Sequence, residues 1–67
     1  MAYLQNLDWM TALSSFSEDE KKVLLVLSHD KYRWRTRERI IAVSGLSPRI
    51  VDNALSALIE KRYVRIG

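Results

Sequence analysis

The apolar positions of the chain change period along its length, and each period predicts an element. Val23, Leu24 and Leu27 recur at helical spacing, with Leu25 and Val26 widening the stripe, which predicts a helix over 17–29. Ile40, Ile41 and Val43 give a shorter helix, over 36–44, its apolar face. Val51, Ala54, Leu55 and Leu58 form the inner stripe of a third helix over 48–61, with Ile50 and Ile59 at its flanks. Its outer face keeps Arg49, Asp52, Asn53, Ser56 and Glu60. Residues 31–35 alternate charged and aromatic side chains, a period of two that predicts a strand over 32–35. Tyr32 and Trp34 then point one way, and Lys31, Arg33 and Arg35 the other. Val64 and Ile66 alternate in the same manner over 63–66. Pairing these two strands would seal one end of the core, with the aromatic face packed on the helices.

The first 16 residues read as an apolar leader. Trp9, Leu13 and Phe16 lie at i, i+4 and i+7, one face of a helix, while Tyr3, Leu4 and Leu7 form a second apolar group. Such a leader either caps the small core or serves as a dimer contact.

Boundary residues agree with the periodicity. Ser17 and Glu20 have the spacing of a reciprocal capping box, and the acids Glu18, Asp19 and Glu20 suit the positive end of a helix. Thr36 is placed to cap the second helix, and Gly45 to end it in a left-handed conformation. Leu46 follows as a residue that inserts into the core from the turn. Ser47 and Pro48 are N-cap and first residue of the third helix. The expected fold is one domain spanning 1–67, mainly α with a small two-stranded sheet.

Charge is distributed unevenly over this frame. Residues 1–30 carry two lysines against five acids, net −3, whereas residues 31–67 carry nine Lys and Arg against three acids, net +6. The basic half contains the second and third helices, a distribution suited to phosphate binding. The chain has no Cys and one His, so a disulfide, a thiolate metal site and a His-based zinc site are excluded. The only glycines are Gly45 and Gly67, so no Gly-rich phosphate loop exists. No Ser-His-Asp set or carboxylate cluster suggests catalysis, and an enzyme, a cofactor and a small-molecule ligand are not expected. The longest large apolar run, Val23 to Leu27, is too short to span a bilayer, and no signal peptide is evident. A cytoplasmic location is expected.

The order of these segments resembles a winged helix-turn-helix domain, over about residues 16–66. Phe16 to Leu27 is similar to the family's first helix. Thr36 to Ser47 is similar to its second helix and Gly-Leu-Ser turn. Ser47 to Ile66 is similar to its recognition helix and first wing strand. The chain departs from the pattern at Ile41, where the family usually has a small residue, and at Arg62, where it commonly has Gly. The turn and returning strand of a full wing are missing after Gly67, so the expectation is either a reduced wing or a truncated piece of a longer protein.

The resemblance implies binding of double-stranded DNA in transcription regulation or another DNA transaction, with the third helix in the major groove. Ser47, Arg49, Asn53 and Ser56 are the candidates on that helix: Arg49 for guanine or phosphate, Asn53 for adenine, Ser47 for phosphate. Arg33, Arg35, Arg37, Arg62 and Arg65 are candidates for flanking phosphates. Asp52 would repel the DNA backbone unless it pairs with Arg49 or reads a cytosine amine. The alternative is a winged-helix module for protein docking or dimerisation, favoured by Asp52, Glu60, the short wing and the apolar leader.

Overall fold

A computed structural model of the chain describes residues 2–6, 8–29 and 34–67. The described elements are β1 (Ala2–Leu4), a 3-10 helix (Trp9–Ser15), α1 (Glu18–His29), β2 (Trp34–Arg35), α2 (Arg37–Ser44), α3 (Pro48–Glu60) and β3 (Val64–Ile66). The result is a small, mainly helical domain with four helices and a three-stranded antiparallel sheet. Tyr32, Arg33 and the first half of the expected strand over 32–35 lie outside the described residues.

Each α-helix starts at the capping signal in its sequence. Ser17 N–H donates to Glu20 Oε1 at 3.1 Å, and Glu20 N–H donates to Ser17 Oγ at 3.2 Å, closing the capping box of α1. Thr36 Oγ1 accepts from Arg39 N–H at 3.2 Å, and Ser47 Oγ accepts from Ile50 N–H at 3.3 Å. Gly45 ends α2 at φ 73°, the left-handed region where a Cβ is costly. At the end of α3, Arg62 takes that conformation instead, at φ 66°. Arg62 N–H donates to Ile59 O and Tyr63 N–H to Leu58 O. These are the two hydrogen bonds of a Schellman motif, so Arg62 ends the helix as Gly would, at a steric cost.

The core draws on every α-helix. Val23, Leu24, Leu27, Ile40, Val51 and Leu58 are fully buried, and Ala54, Leu55 and Val26 join them. Leu46 is half-buried against this cluster. Two side chains expected to face the core do not. At 3.6 residues per turn Leu25 falls opposite the Val23–Leu24–Leu27 stripe and is 45% exposed. On the two-turn α2, the side between Ile40, Ile41 and Ser44 faces inward, which turns Val43 out to 52% exposure.

The leader differs more from expectation. Trp9 and Phe16 are buried, in line with a core cap, but Leu13 is 38% exposed. The segment is a 3-10 helix, kinked at Ala12, and three residues per turn carry Leu13 off the face of Trp9. Before it, Ala2–Leu4 forms a strand that the sequence reading did not anticipate, and Ala2 and Leu4 are buried.

That strand overturns the expected direct pairing of 32–35 with 63–66. The sheet order is β2-β1-β3, with β1 antiparallel to both neighbours. The register sets Ala2 opposite Arg35 and Ile66, Tyr3 opposite Trp34 and Arg65, and Leu4 opposite Val64. Cross-strand partners share a face, so Ala2, Leu4, Val64, Ile66 and Arg35 lie on the helix side. Tyr3, Trp34 and Arg65 lie on the other. Trp34 and Arg35 therefore occupy faces opposite to those predicted. A one-residue choice of register inverts a whole strand, and here the buried pair Ala2 and Leu4 sets it.

Candidate nucleic-acid interface

The solvent side of α3 is built by the same periodicity that builds its core side. With Val51, Ala54, Leu55 and Leu58 turned inward, Arg49, Asn53, Ser56 and Glu60 form one exposed line on the opposite side. Arg49, Asn53 and Ser56 thus share a surface, with exposed Ser47 at its N-terminal end. The Ser47 hydroxyl oxygen accepts the Ile50 N–H but still has a proton to donate. Glu60 puts an acid at the far end of the line, so the part suited to an anion is the N-terminal half, where the helix dipole is also positive.

The Asp52 carboxylate next to this line is held by Arg37. Arg37 Nε donates to Oδ1 at 2.6 Å and Nη2 to Oδ2 at 2.9 Å, a bidentate pair bridging the first turn of α2 to α3. These hydrogen bonds, reinforced by the charge of the guanidinium, hold the Asp52 carboxyl below its ordinary value and raise that of Arg37. Asp52 therefore pairs with Arg37 and not with Arg49. Arg37, expected as a phosphate contact, is committed to neutralising Asp52. No local spacing signals this contact, because its members are 15 residues apart.

The other described arginines expected at flanking phosphates are dispersed. Arg35 is half-buried on the helix side of β2. Arg62 sits beyond the C-terminal end of α3, about 20 Å along the helix from Arg49 at 1.5 Å per residue. Arg65 projects from the sheet face turned away from the helices, beside Tyr3. Arg33 is outside the described residues. The expected flanking set is therefore not one patch: the residues brought together are Ser47, Arg49, Asn53 and Ser56, with Arg37 at their edge.

Two surfaces flank α3. On one side lies a groove of about 150 Å³ lined by Ser17, Asp19, Glu20, Ile50, Asn53, Ala54 and Ala57. Lys61 closes off its Glu20 carboxylate, with Nζ 3.0 Å from Oε2, 3.0 Å from Ser15 O and 5.3 Å from the centre of the Phe16 ring. Burial pushes the Glu20 carboxyl up. The Ser17 N–H, the Lys61 ammonium and the Ser17 hydroxyl outweigh this and hold it below its ordinary value. On the other side lies an apolar hollow of about 390 Å³ between α3 and β3, lined by Ala2, Leu55, Ile59 and Ile66 beside the Arg37–Asp52 pair.

Among the described residues, no group of three or more His, Asp or Glu side chains is placed to hold a metal ion. No described helix is long and apolar enough to cross a membrane. Compared with protein-family models, with curated proteins and with solved structures, the chain gives no match.

Proposed function

We propose that the chain is a winged helix-turn-helix module that binds double-stranded DNA through the solvent face of α3. The observation that carries this reading is the exposed line of Arg49, Asn53 and Ser56 beginning at the Ser47 cap, with Asp52 beside it neutralised by Arg37. In this reading α2, the Gly45 turn and α3 are the helix-turn-helix, and β1 fills the sheet position that a returning wing strand would take. Arg49 bonds a guanine edge or a phosphate, Asn53 an adenine, and Ser47 a phosphate.

Titration of a fluorescent mixed-sequence duplex at low and moderate salt tests the proposal. Affinity should fall steeply with salt, because counterions are released on binding. Arg49→Ala should cost about 1–3 kcal/mol. Equal affinity of the variant and the parent chain would remove α3 as the site.

A second reading, docking of a protein partner or of a second copy, draws on the apolar hollow beside Ile59 and Ile66, the latter 58% exposed. Met10 and Leu13 of the leader, 63% and 38% exposed, are a second surface for such contact. Salt-insensitive association without DNA binding would favour it.

A further inference from the structure

We propose that the sheet face turned away from the helices is a stacking platform for unpaired nucleobases of single-stranded nucleic acid. Tyr3 is the middle of a cross-strand row, opposite Trp34 on one side and Arg65 on the other. The Tyr3 and Trp34 rings are 6.4 Å apart, centre to centre, and tilted by 47°. Tyr3 is 37% exposed on this face. Arg65 is exposed and Trp34 half-buried. Tyr3, Gln5, Arg65 and Gly67 line an open cavity of about 350 Å³, within the range of small-ligand sites.

The composition of the row selects its occupant. A single strand offers a flat base and a phosphate in each repeat. Base stacking needs an aromatic face and tolerates any base, while a guanidinium beside it holds the phosphate or stacks as a cation. Tyr3, Trp34 and Arg65 supply these groups in adjacent strands. The three strands contain no Asp or Glu, and Arg65 puts a positive charge on the outer face, which favours an anionic strand there. The side chain of Gln5, at the rim of the cavity, has donors and an acceptor for a base edge. Duplex DNA does not suit this face, because its bases are stacked on each other. The platform is separate from the α3 surface, since the helices pack on the opposite side of the sheet.

The test uses the full chain labelled with ¹⁵N and titrated at low salt with short oligothymidylate and, separately, oligouridylate. Saturable shifts at the amides of Tyr3 and Arg65 and at the Trp34 indole N–H are expected with at least one of them. The preferred oligomer identifies DNA or RNA as the source of the strand. Arg65→Ala, a change at an exposed position, should weaken binding about tenfold, as should Trp34→Leu. A folded chain that binds neither oligomer overturns the proposal. So do shifts confined to α3, or affinity unchanged by Arg65→Ala. The duplex reading fails at Arg49 and the α3 amides, so the two failures are told apart in the same kind of spectra.

Discussion

α3 and β1 stand at opposite ends of the chain and opposite ends of what local sequence specifies. Ser47 and Pro48 start α3, its apolar residues recur at 3.6, and a Schellman motif ends it. Every one of these instructions acts within a few residues. β1 has three residues, no cap and no period long enough to read. It exists because β2 and β3 flank it and because the core covers Ala2 and Leu4. Local signals suffice where a helix can satisfy its own backbone, whereas a strand must find its hydrogen bonds in distant residues.

Substitution of a core residue in each region probes the contrast most strongly. Leu58→Ala removes a fully buried side chain of α3 and should cost about 2–5 kcal/mol, read from the urea midpoint. Leu4→Ala, in β1, should cost about 2–3 kcal/mol despite the brevity of the strand, since Leu4 is 7% exposed. A near-neutral Leu4→Ala would mean that β1 only rests against the domain and that the sheet is not part of its core.

The end of α3 allows a gain in stability. Arg62 adopts a left-handed backbone that costs about 1 kcal/mol more for a residue with a Cβ than for Gly. Arg62→Gly should raise stability by about 0.5–1 kcal/mol in a thermal melt, net of the added freedom of glycine in the unfolded chain. A lower melting temperature would show that the Arg62 side chain contributes more than its backbone costs.

Acid weakens the contact between the start of α1 and the end of α3. The folded state holds Glu20 below its ordinary value of 4.5, so the unfolded chain takes up its proton first as pH falls. The stability that Glu20 contributes is therefore complete above that ordinary value. It is lost as pH falls through the lower folded value. Glu20→Gln should flatten this acid limb of the stability curve, and Lys61→Met should flatten it in part. Parallel curves for Glu20→Gln and the parent chain would dissociate the Glu20–Lys61 pair from acid sensitivity. Asp52 shifts in the same direction, through Arg37, but both side chains are about half exposed, and a smaller, salt-screened effect is expected there. The effect of Arg37→Met should instead appear in duplex affinity, which falls because Asp52 is left as a bare anion beside Arg49. Equal salt slopes and affinities would show that Asp52 is too far from the bound phosphates to matter.

Much of the α-helical frame was legible in advance because its signals are local. Ser17 with Glu20, Thr36, Gly45 and the Ser47-Pro48 pair each mark a boundary within one or two residues of the observed one. Misplaced side chains such as Leu25 and Val43 fall where an apolar residue sits off a stripe whose centre only the packed structure fixes. The face of Trp34 could not be read, since alternation gives two faces but not which is buried. That choice was made by Ala2 and Leu4, some 30 residues away. Of the candidate site, the helical period put Arg49, Asn53 and Ser56 on one outer face and the resemblance to a winged helix-turn-helix singled them out, whereas the Arg37–Asp52 pair and the separation of Arg65 from α3 depend on tertiary contacts.

The direct test of the α3 surface is a ¹⁵N–¹H spectrum of the chain with and without a mixed-sequence duplex at low salt. The account predicts that the amides of Arg49, Asn53 and Ser56 and of the Ser47 cap move together and saturate. Movement confined to Tyr3 and Arg65, to the leader around Met10, or nowhere at all would contradict it.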